Sequence, residues 1–525
     1  MAHELDAAAI RQLLDPAAWP AADKPPRLIE THISWVILAG EFAYKVKKPV
    51  SLGFLDFSTR ALRKHYCEEE LRLNRRTAPE LYLDVVPIGR TAAGLRVGAE
   101  PAVDYAVKMR RFPEKARLDH CLRAGRLGPA DMRELAAMIA GFHDGLAPRI
   151  NRDAAFAAER ASKPALNNFK YLRENLGRRG PPQLERVKDW GGRQIEALRP
   201  VFAARAAGGF VRECHGDLHL ANLLRLEGRF RAFDCIEFDE GLRRIDTAND
   251  MAFLVMDLEA HDRDDLAHAV LSAWLEANGD YAGLQLTPYY LVFRAMVRAV
   301  VASIRQGQEN GSAADAGDDD DGVARYLDLA AALIDPPPPT LFLMHGFSGS
   351  GKTWLSERLI PALPALRVRS DLERKRLQRE GAIGGELYGA AATRLTYETL
   401  AAHCEAGLCA GFSMIADATF LRREPRARFL ELARSLGLPA VIVDCDAAPD
   451  VLRQRLRRRA AQRRDASDAD VAVLNRQLAD HDAFDAAERR QVLKIDTEGL
   501  DQCSLRDWVD RARKEYGIQT AAGAE

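Results

Sequence analysis

The stretch HGDLHLAN (residues 215–222) sets Asp217 five positions ahead of Asn222, with histidines at 215 and 219. Farther along, FDCIEF (233–238) places Asp234 between apolar neighbours, on an expected strand. Phosphoryl transfer asks a protein for a carboxylate that accepts the attacking hydroxyl's proton, and for oxygen ligands that hold magnesium. A lone aspartate is more often a helix cap or a turn residue. Two carboxylates and a carboxamide in this order and spacing point to phosphoryl chemistry instead.

A second phosphate signature stands far from the first. GFSGSGKT (346–353) fits G-x-x-x-x-G-K-[ST] through Gly346, Phe347, Ser348, Gly349, Ser350, Gly351, Lys352 and Thr353. A strand-like run, TLFLMH, precedes it and a helical run, KTWLSERLI, follows. The glycines let backbone N–H groups converge on phosphate oxygens, and the helix N-terminus adds a favourable dipole. Lys352 is expected to reach the outer phosphates and the Thr353 hydroxyl to hold magnesium. Asp371 closes the strand in RVRSDLERKRL; Asp417 and Thr419 close the one in SMIADATF. Ligands of parallel α/β sheets meet such carboxyl ends. Arg455 and Arg459, four apart on a helix, share a face and are suited to close over a transferred phosphate. The plainer reading of that arginine run is a solvated basic helix.

Two scaffolds must position these groups. In the first half, ISWVILAGEFAYKVKK reads as two strands joined at a tight Ala39-Gly40 turn, and RKHYCEEELRLNRRTA as a helix. LYLDVVPIGRTAAGLRVG and DYAVKMRRF read as further strands, and helical patterns dominate from about 129 onward. A small strand-rich lobe followed by a helical lobe is an α+β plan. In the second half TLFLMHG, LRVRSD, SMIADAT, AVIVDCD and VLKIDT alternate with helices, which predicts a parallel sheet covered on both faces. Between the halves lie the acidic SAADAGDDDDG (312–322) and DPPPP (335–339), a stiff stretch that cannot continue a helix. We therefore expect domains at 1–335 and 336–525.

The same chemistry calls for a lysine that reaches the nucleotide phosphates and pairs with a helix glutamate. FAYKVKK offers Lys45 and Lys47 on one strand face, and the alternation does not choose between them. CEEELRL offers Glu68, Glu69 and Glu70. No G-x-G-x-x-G precedes the lysines, and Glu237 stands three residues after Asp234.

HGDLHLANLL, FDCIEF and RRIDTANDMAFL together resemble the aminoglycoside phosphotransferase and choline kinase-like branch of the protein-kinase fold. The resemblance runs over about 30–310. It implies Asp217 as catalytic base, Asn222 and Asp234 as magnesium ligands, Lys45 as the phosphate lysine and Glu69 as its partner. It makes Asp246 and Asp250 structural ties and VKMRRF (107–112) the linker whose backbone meets adenine. His215 is expected to pack and hydrogen-bond the loop, His219 is a candidate to touch substrate or phosphate, and His143 reads as a packed helix-end histidine. RSD…RK, the DAT strand and the arginine-rich R…SDA lid resemble small P-loop kinases grouped with gluconate kinase, polynucleotide kinase and zeta toxin. That likeness implies Asp371 at the substrate hydroxyl, Asp417 at the metal, and Arg455 and Arg459 in the lid. The whole plan is similar to bacterial bifunctional aminoglycoside phosphotransferase-like/ATP-binding proteins: a bilobal α+β protein-kinase-like fold, then an α/β parallel-sheet P-loop kinase fold. It implies ATP and Mg2+ as cofactors, and a small hydroxylated acceptor. The alternatives are a nucleotide-gated regulatory protein with one silent module and a nucleic-acid end kinase in the second half.

The bulk properties set outer bounds. With 525 residues, 47% hydrophobic, 29% charged and a net charge of −1, the chain has no global field to recruit nucleic acid or a membrane. No signal peptide or membrane span is expected, and a cytoplasmic protein with reduced thiols is. The eight cysteines form no CxxC pair.

Overall fold

The computed structural model describes residues 5–19, 25–52, 55–92, 94–176, 181–309, 322–462 and 469–517. They divide into two compact units. The first comprises Met1–Leu127, Gly141–Ala161 and Phe202–Leu254; the second comprises Gly128–Ala140, Ser162–Val201 and Val255–Glu525. The second unit thus takes in helices that precede residue 336, which we keep as the proposed boundary between modules. Apart from Gly322, the acidic run SAADAGDDDDG lies outside the described residues.

In the first unit six antiparallel strands stand in the order Arg27–Glu30, Ser34–Ala39, Phe42–Lys47, Ala102–Arg110, Tyr82–Thr91, Gly94–Val97. Ala39 pairs with Phe42, so the hairpin turns on Gly40 and Glu41, one residue later than the sequence suggested. Gly40 has φ 58°, a left-handed conformation that costs glycine little. Alternation along Phe42–Lys47 then sorts its side chains. Tyr44 and Val46 enter a core with Trp19, Ile37, Ile88 and Ala106. Ala43 points the other way, against Cys67, Tyr82, Val107 and Met109, and Lys45 and Lys47 share that side.

The helix Arg60–Asn74 covers this second face. Thr59 caps it, accepting from the Leu62 amide at 3.3 Å. Its buried residues include Arg63, Cys67, Glu70 and Asn74, three to four apart, which is one stripe of a helix. A hairpin of Leu223–Leu226 and Arg229–Ala232 pairs Leu223 with Ala232, which brings Asn222 and Phe233 side by side.

The second unit holds five parallel strands in the order Ala365–Arg369, Ser413–Asp417, Leu341–His345, Ala440–Asp446, Val492–Asp496. Each expected apolar run is one of these strands. Leu341–His345 is central and buried throughout, as a strand covered on both faces should be. The edge strand Ala365–Arg369 is not left open. The Arg367 amide donates to Ser272 Oγ at 3.0 Å, and its carbonyl accepts from the Tyr281 hydroxyl at 2.8 Å. The helix Asp264–Asn278 and the turn Tyr281–Gln285 thereby satisfy backbone groups that an edge would expose. Among the described residues no helix is long and apolar enough to cross a membrane. All eight cysteines are free thiols, six of them buried.

Candidate active sites

The first site is built on the loop that enters the hairpin. Asn222 Nδ2 donates to Asp217 Oδ2 at 2.8 Å and to the Asp217 carbonyl at 3.0 Å. Engaging the nitrogen turns the amide oxygen into the end a cation could use. His219 lies against Phe253, with Nε2 3.4 Å from Asp217 Oδ2 and Nδ1 accepting from the Ala221 amide. His215 is a brace: Nε2 donates to the Phe233 carbonyl at 3.0 Å and Nδ1 accepts from the Asp217 amide at 3.4 Å. Burial lowers its pKa, in keeping with a neutral ring. Gly216 is required where it stands. Its φ is 85°, and a Cβ there would sit 2.8 Å from the Leu242 carbonyl.

The two trailing aspartates hold this loop in place. Asp250 accepts from the amides of His215 and Gly216 at 3.1 and 2.8 Å, and His143 Nε2 meets it at 3.0 Å. Burial works to raise the Asp250 carboxyl, but His143 and the other donors hold it at about 2. Asp246 takes a bidentate pair from Arg205 at 2.6 and 2.8 Å. His143, Cys214 and Asp250 bring three metal-ligand-type atoms within 4.8 Å of one another. Both Asp250 oxygens already accept hydrogen bonds, and burial keeps the Cys214 thiol protonated, so we read the trio as a brace.

Asp234 departs from the sequence reading in one respect. It lies beyond the strand Arg229–Ala232 rather than on it, in a left-handed conformation with φ 60°. Its amide donates to the Tyr82 hydroxyl at 3.1 Å. Its Oδ1 accepts from Lys45 Nζ at 2.5 Å, and Lys45 also meets Glu70 Oε1 at 3.0 Å. Lys47 is deeper, bonded to Glu70 Oε2 at 2.8 Å and to Glu237. Burial alone would raise the Glu70 carboxyl; the two lysines overcome it and hold it at about 2.

Glu69 is therefore not the lysine's partner. It turns to Arg72, at 2.8 Å, and to Arg243, at 3.4 Å. The cause is helical phase: Glu70 belongs to the inward stripe of Arg63, Cys67 and Asn74, and Glu69 falls outside it. The linker expected at 107–112 is corrected too. Residues 107–110 belong to the strand Ala102–Arg110, and the Arg111 amide is taken by the Glu41 carbonyl at 2.9 Å.

The second site is more local. Gly346, Gly349 and Gly351 have φ of 138°, 86° and 86°. A Cβ at Gly346 would lie 2.6 Å from the Cys445 carbonyl, so the loop closes only with glycine. Thr353 lies in the first turn of the helix Lys352–Ala362. Lys352 Nζ donates to the carbonyls of Gly346 and Phe347, each at 2.8 Å. Burial pulls its pKa down, while the carboxylates of Asp417 and Asp371 act the other way. Both aspartates are thus close enough to act on the loop lysine. Ser356 Oγ lies 3.1 Å from Asp417 Oδ2, and Ser350 Oγ is buried without a hydrogen-bond partner. Such an orphan hydroxyl fits a loop that wraps an anion.

The lid side is engaged with the protein. The Ser348 amide donates to Gln477 Oε1 at 2.9 Å, and Phe347 meets His481 edge-on. Arg455 donates to Thr497 at 2.9 and 2.6 Å and to the Gly349 carbonyl at 3.4 Å; Arg459 donates to the Ala469 carbonyl at 2.5 Å. Residues 463–468 of the expected lid lie outside the described residues. The oxygen donors of the two sites, Asn222 with Asp234 and Thr353 with Asp417, suit a hard cation such as magnesium. Sequence reasoning missed Tyr82, Ser356 and Gln477, and it noted Glu237 without its bond to Lys47; these roles come from elements distant in the chain.

Residues 341–484 match the family model of an AAA domain. Over 475 residues the chain is 30% identical to the uncharacterized protein Rv2004c of Mycobacterium tuberculosis, spanning 89% of this chain and 93% of that one. The uncharacterized protein Mb2027c of Mycobacterium bovis matches to the same extent. The chain belongs to their family. Among solved structures, a choline/ethanolamine kinase family protein from Mesorhizobium loti aligns at 13% identity over 61% of this chain and 90% of its own, with TM-score 0.38. A sugar kinase from Janibacter sp. HTCC2649 aligns at 21% identity over 35% of this chain and 96% of its own, with TM-score 0.26. The lysine sheet, its glutamate helix and the Asp217 loop all lie in the first unit of this family member. The phosphate loop on a five-stranded parallel sheet is a P-loop fold in the second.

Proposed function

We propose that the chain is an ATP-dependent phosphotransferase with two kinase-like modules, each moving the γ-phosphoryl of ATP to a hydroxyl of a small acceptor. One observation carries this reading. Asp217, Asn222 and Asp234 gather around one hairpin end, and Lys45, 189 positions before Asp234 in the chain, reaches the same aspartate.

In the first module Asp217 takes the proton of the attacking hydroxyl on its carboxylate. Lys45 has two anionic partners, so it can leave Asp234 for a nucleotide phosphate while Glu70 keeps it aimed. In the second, Asp371 stands at the acceptor hydroxyl, Lys352 turns from its two loop carbonyls to phosphate, and Arg455 and Arg459 add positive charge. Asn222 with Asp234, and Thr353 with Asp417, would hold magnesium, which when bound neutralises charge on the transferring phosphoryl.

The test is ATP consumption by the full chain against sugars, nucleosides, aminoglycosides and small alcohols. Acceptor-dependent consumption that Asp217→Asn or Lys352→Ala removes would support the proposal. Absence of both turnover and ATP–magnesium binding would overturn it. A second reading, a nucleotide-gated module in the second half, is favoured by the engagement of Lys352 with its own loop and of the Ser348 amide with Gln477. Lys352-dependent binding with no Lys352-dependent turnover would select it. The arginine run lends less to a nucleic-acid end kinase, since Arg455 and Arg459 turn inward to Thr497 and Ala469.

A further inference from the structure

Arg367 sits in the middle of the edge strand Ala365–Arg369, buried, and its guanidinium joins two parts of the second unit. On one side it forms a bidentate pair with Glu276, at 2.6 and 3.2 Å, from the helix Asp264–Asn278. On the other, Nη1 donates to Ser356 Oγ at 3.0 Å and to the Thr353 carbonyl at 3.3 Å. Ser356 Oγ in turn lies 3.1 Å from both Asp417 Oδ2 and the Thr353 carbonyl.

Proton counting gives this chain a direction. A serine hydroxyl has one proton to donate. Arg367 occupies a lone pair of Ser356 Oγ and also supplies the Thr353 carbonyl with a donor. The serine proton is then best spent on Asp417 Oδ2, the oxygen that also faces Arg369 Nε at 3.8 Å. Holding Oδ2 orients the carboxylate and leaves Oδ1 as the oxygen that this chain of bonds does not occupy. Holding the Thr353 carbonyl fixes the helix turn that carries the Thr353 hydroxyl. Without Arg367 the serine proton can rotate to the Thr353 carbonyl, and Asp417 loses its orienting donor.

We propose that Arg367, oriented by Glu276 and acting through Ser356, is the positioning residue that aims Asp417 and Thr353 at the magnesium of the phosphate loop. The inference rests on the reading of GFSGSGKT as a magnesium–nucleotide site. Its consequence is that a helix preceding the proline spacer sets the metal affinity of the module that follows it. Outer-shell partners of this kind are worth roughly 10-fold or more in metal affinity.

The experiment follows ATP binding by the full chain, taking the component that Lys352→Ala removes, as magnesium is titrated. Glu276→Gln leaves a buried guanidinium without its counter-charge, so Ser356→Ala, which removes one oxygen, is run beside it. In both variants the magnesium concentration at half effect should rise roughly 10-fold, while binding of the same component in EDTA stays unchanged. An unchanged magnesium requirement in Ser356→Ala, or an equal loss of binding with and without magnesium, would overturn the inference. A shift in Ser356→Ala alone would overturn the part given to Glu276. An unmutated chain lacking any Lys352-dependent component would overturn the nucleotide-site reading itself, and this inference with it.

Discussion

The two candidate sites are built in opposite ways. The phosphate loop draws its chemistry from eight consecutive residues, and its glycines shape the backbone there directly. The Asp217 site is assembled from the strand Phe42–Lys47, the helix Arg60–Asn74, the loop 215–222 and a residue just past a hairpin. Its ion pairs span 189 and 190 positions. A contiguous site depends on local conformation, whereas a dispersed one depends on register: which residue of a helix or strand faces inward. The second kind can be changed by a one-residue shift that leaves every motif in place.

The sharpest way to break this comparison is at the reacting groups. Asp217→Asn keeps the shape of the loop and removes the base, so acceptor-dependent turnover of the first module should fall roughly 100- to 10,000-fold. Steady-state rates unaffected by it would remove Asp217 from the chemistry. Lys352→Ala should cost the second module roughly 100-fold in turnover and leave the first untouched. If it silenced both modules, the two sites would not be independent.

Register is the next target. Glu70→Gln leaves two buried lysines short of a partner and should cost about 3–5 kcal/mol in urea unfolding. Glu69→Gln, on the partly exposed neighbour, should cost about 1 kcal/mol or less. The reverse order would restore Glu69 as the lysine's partner. A smaller effect concerns pH. Glu70 is held at about 2 against an ordinary 4.5, so its stabilisation is complete above pH 4.5 and is lost as pH falls through about 2. Stability should decline across that window, and less steeply in Glu70→Gln. Equal slopes would mean that Glu70 is not held as a buried carboxylate.

The same contrast decided what the sequence could reveal. The five parallel strands were legible because apolar runs buried on both faces announce themselves by composition. The phosphate loop was legible because only glycine tolerates its backbone. Lys45 and Lys47 were not separable, since alternation sends both to one face, and both reach Glu70. Glu70 was misjudged for a related reason. The inward stripe of its helix is Arg63, Cys67, Glu70 and Asn74, largely polar, and helical periodicity is read from apolar residues. Asp234 looked like a strand residue because its neighbours are apolar, yet its positive φ carries it off the ladder. The link from Glu276 through Arg367 and Ser356 to Asp417 left no mark in the sequence, since it exists only once a helix has covered a sheet edge.

Calorimetric titration of the full chain with ATP and magnesium tests the central claim most directly. Two independent phosphate sites require two nucleotides bound per chain, falling to one in Lys352→Ala. A stoichiometry of one or none in the unmutated protein would contradict the account.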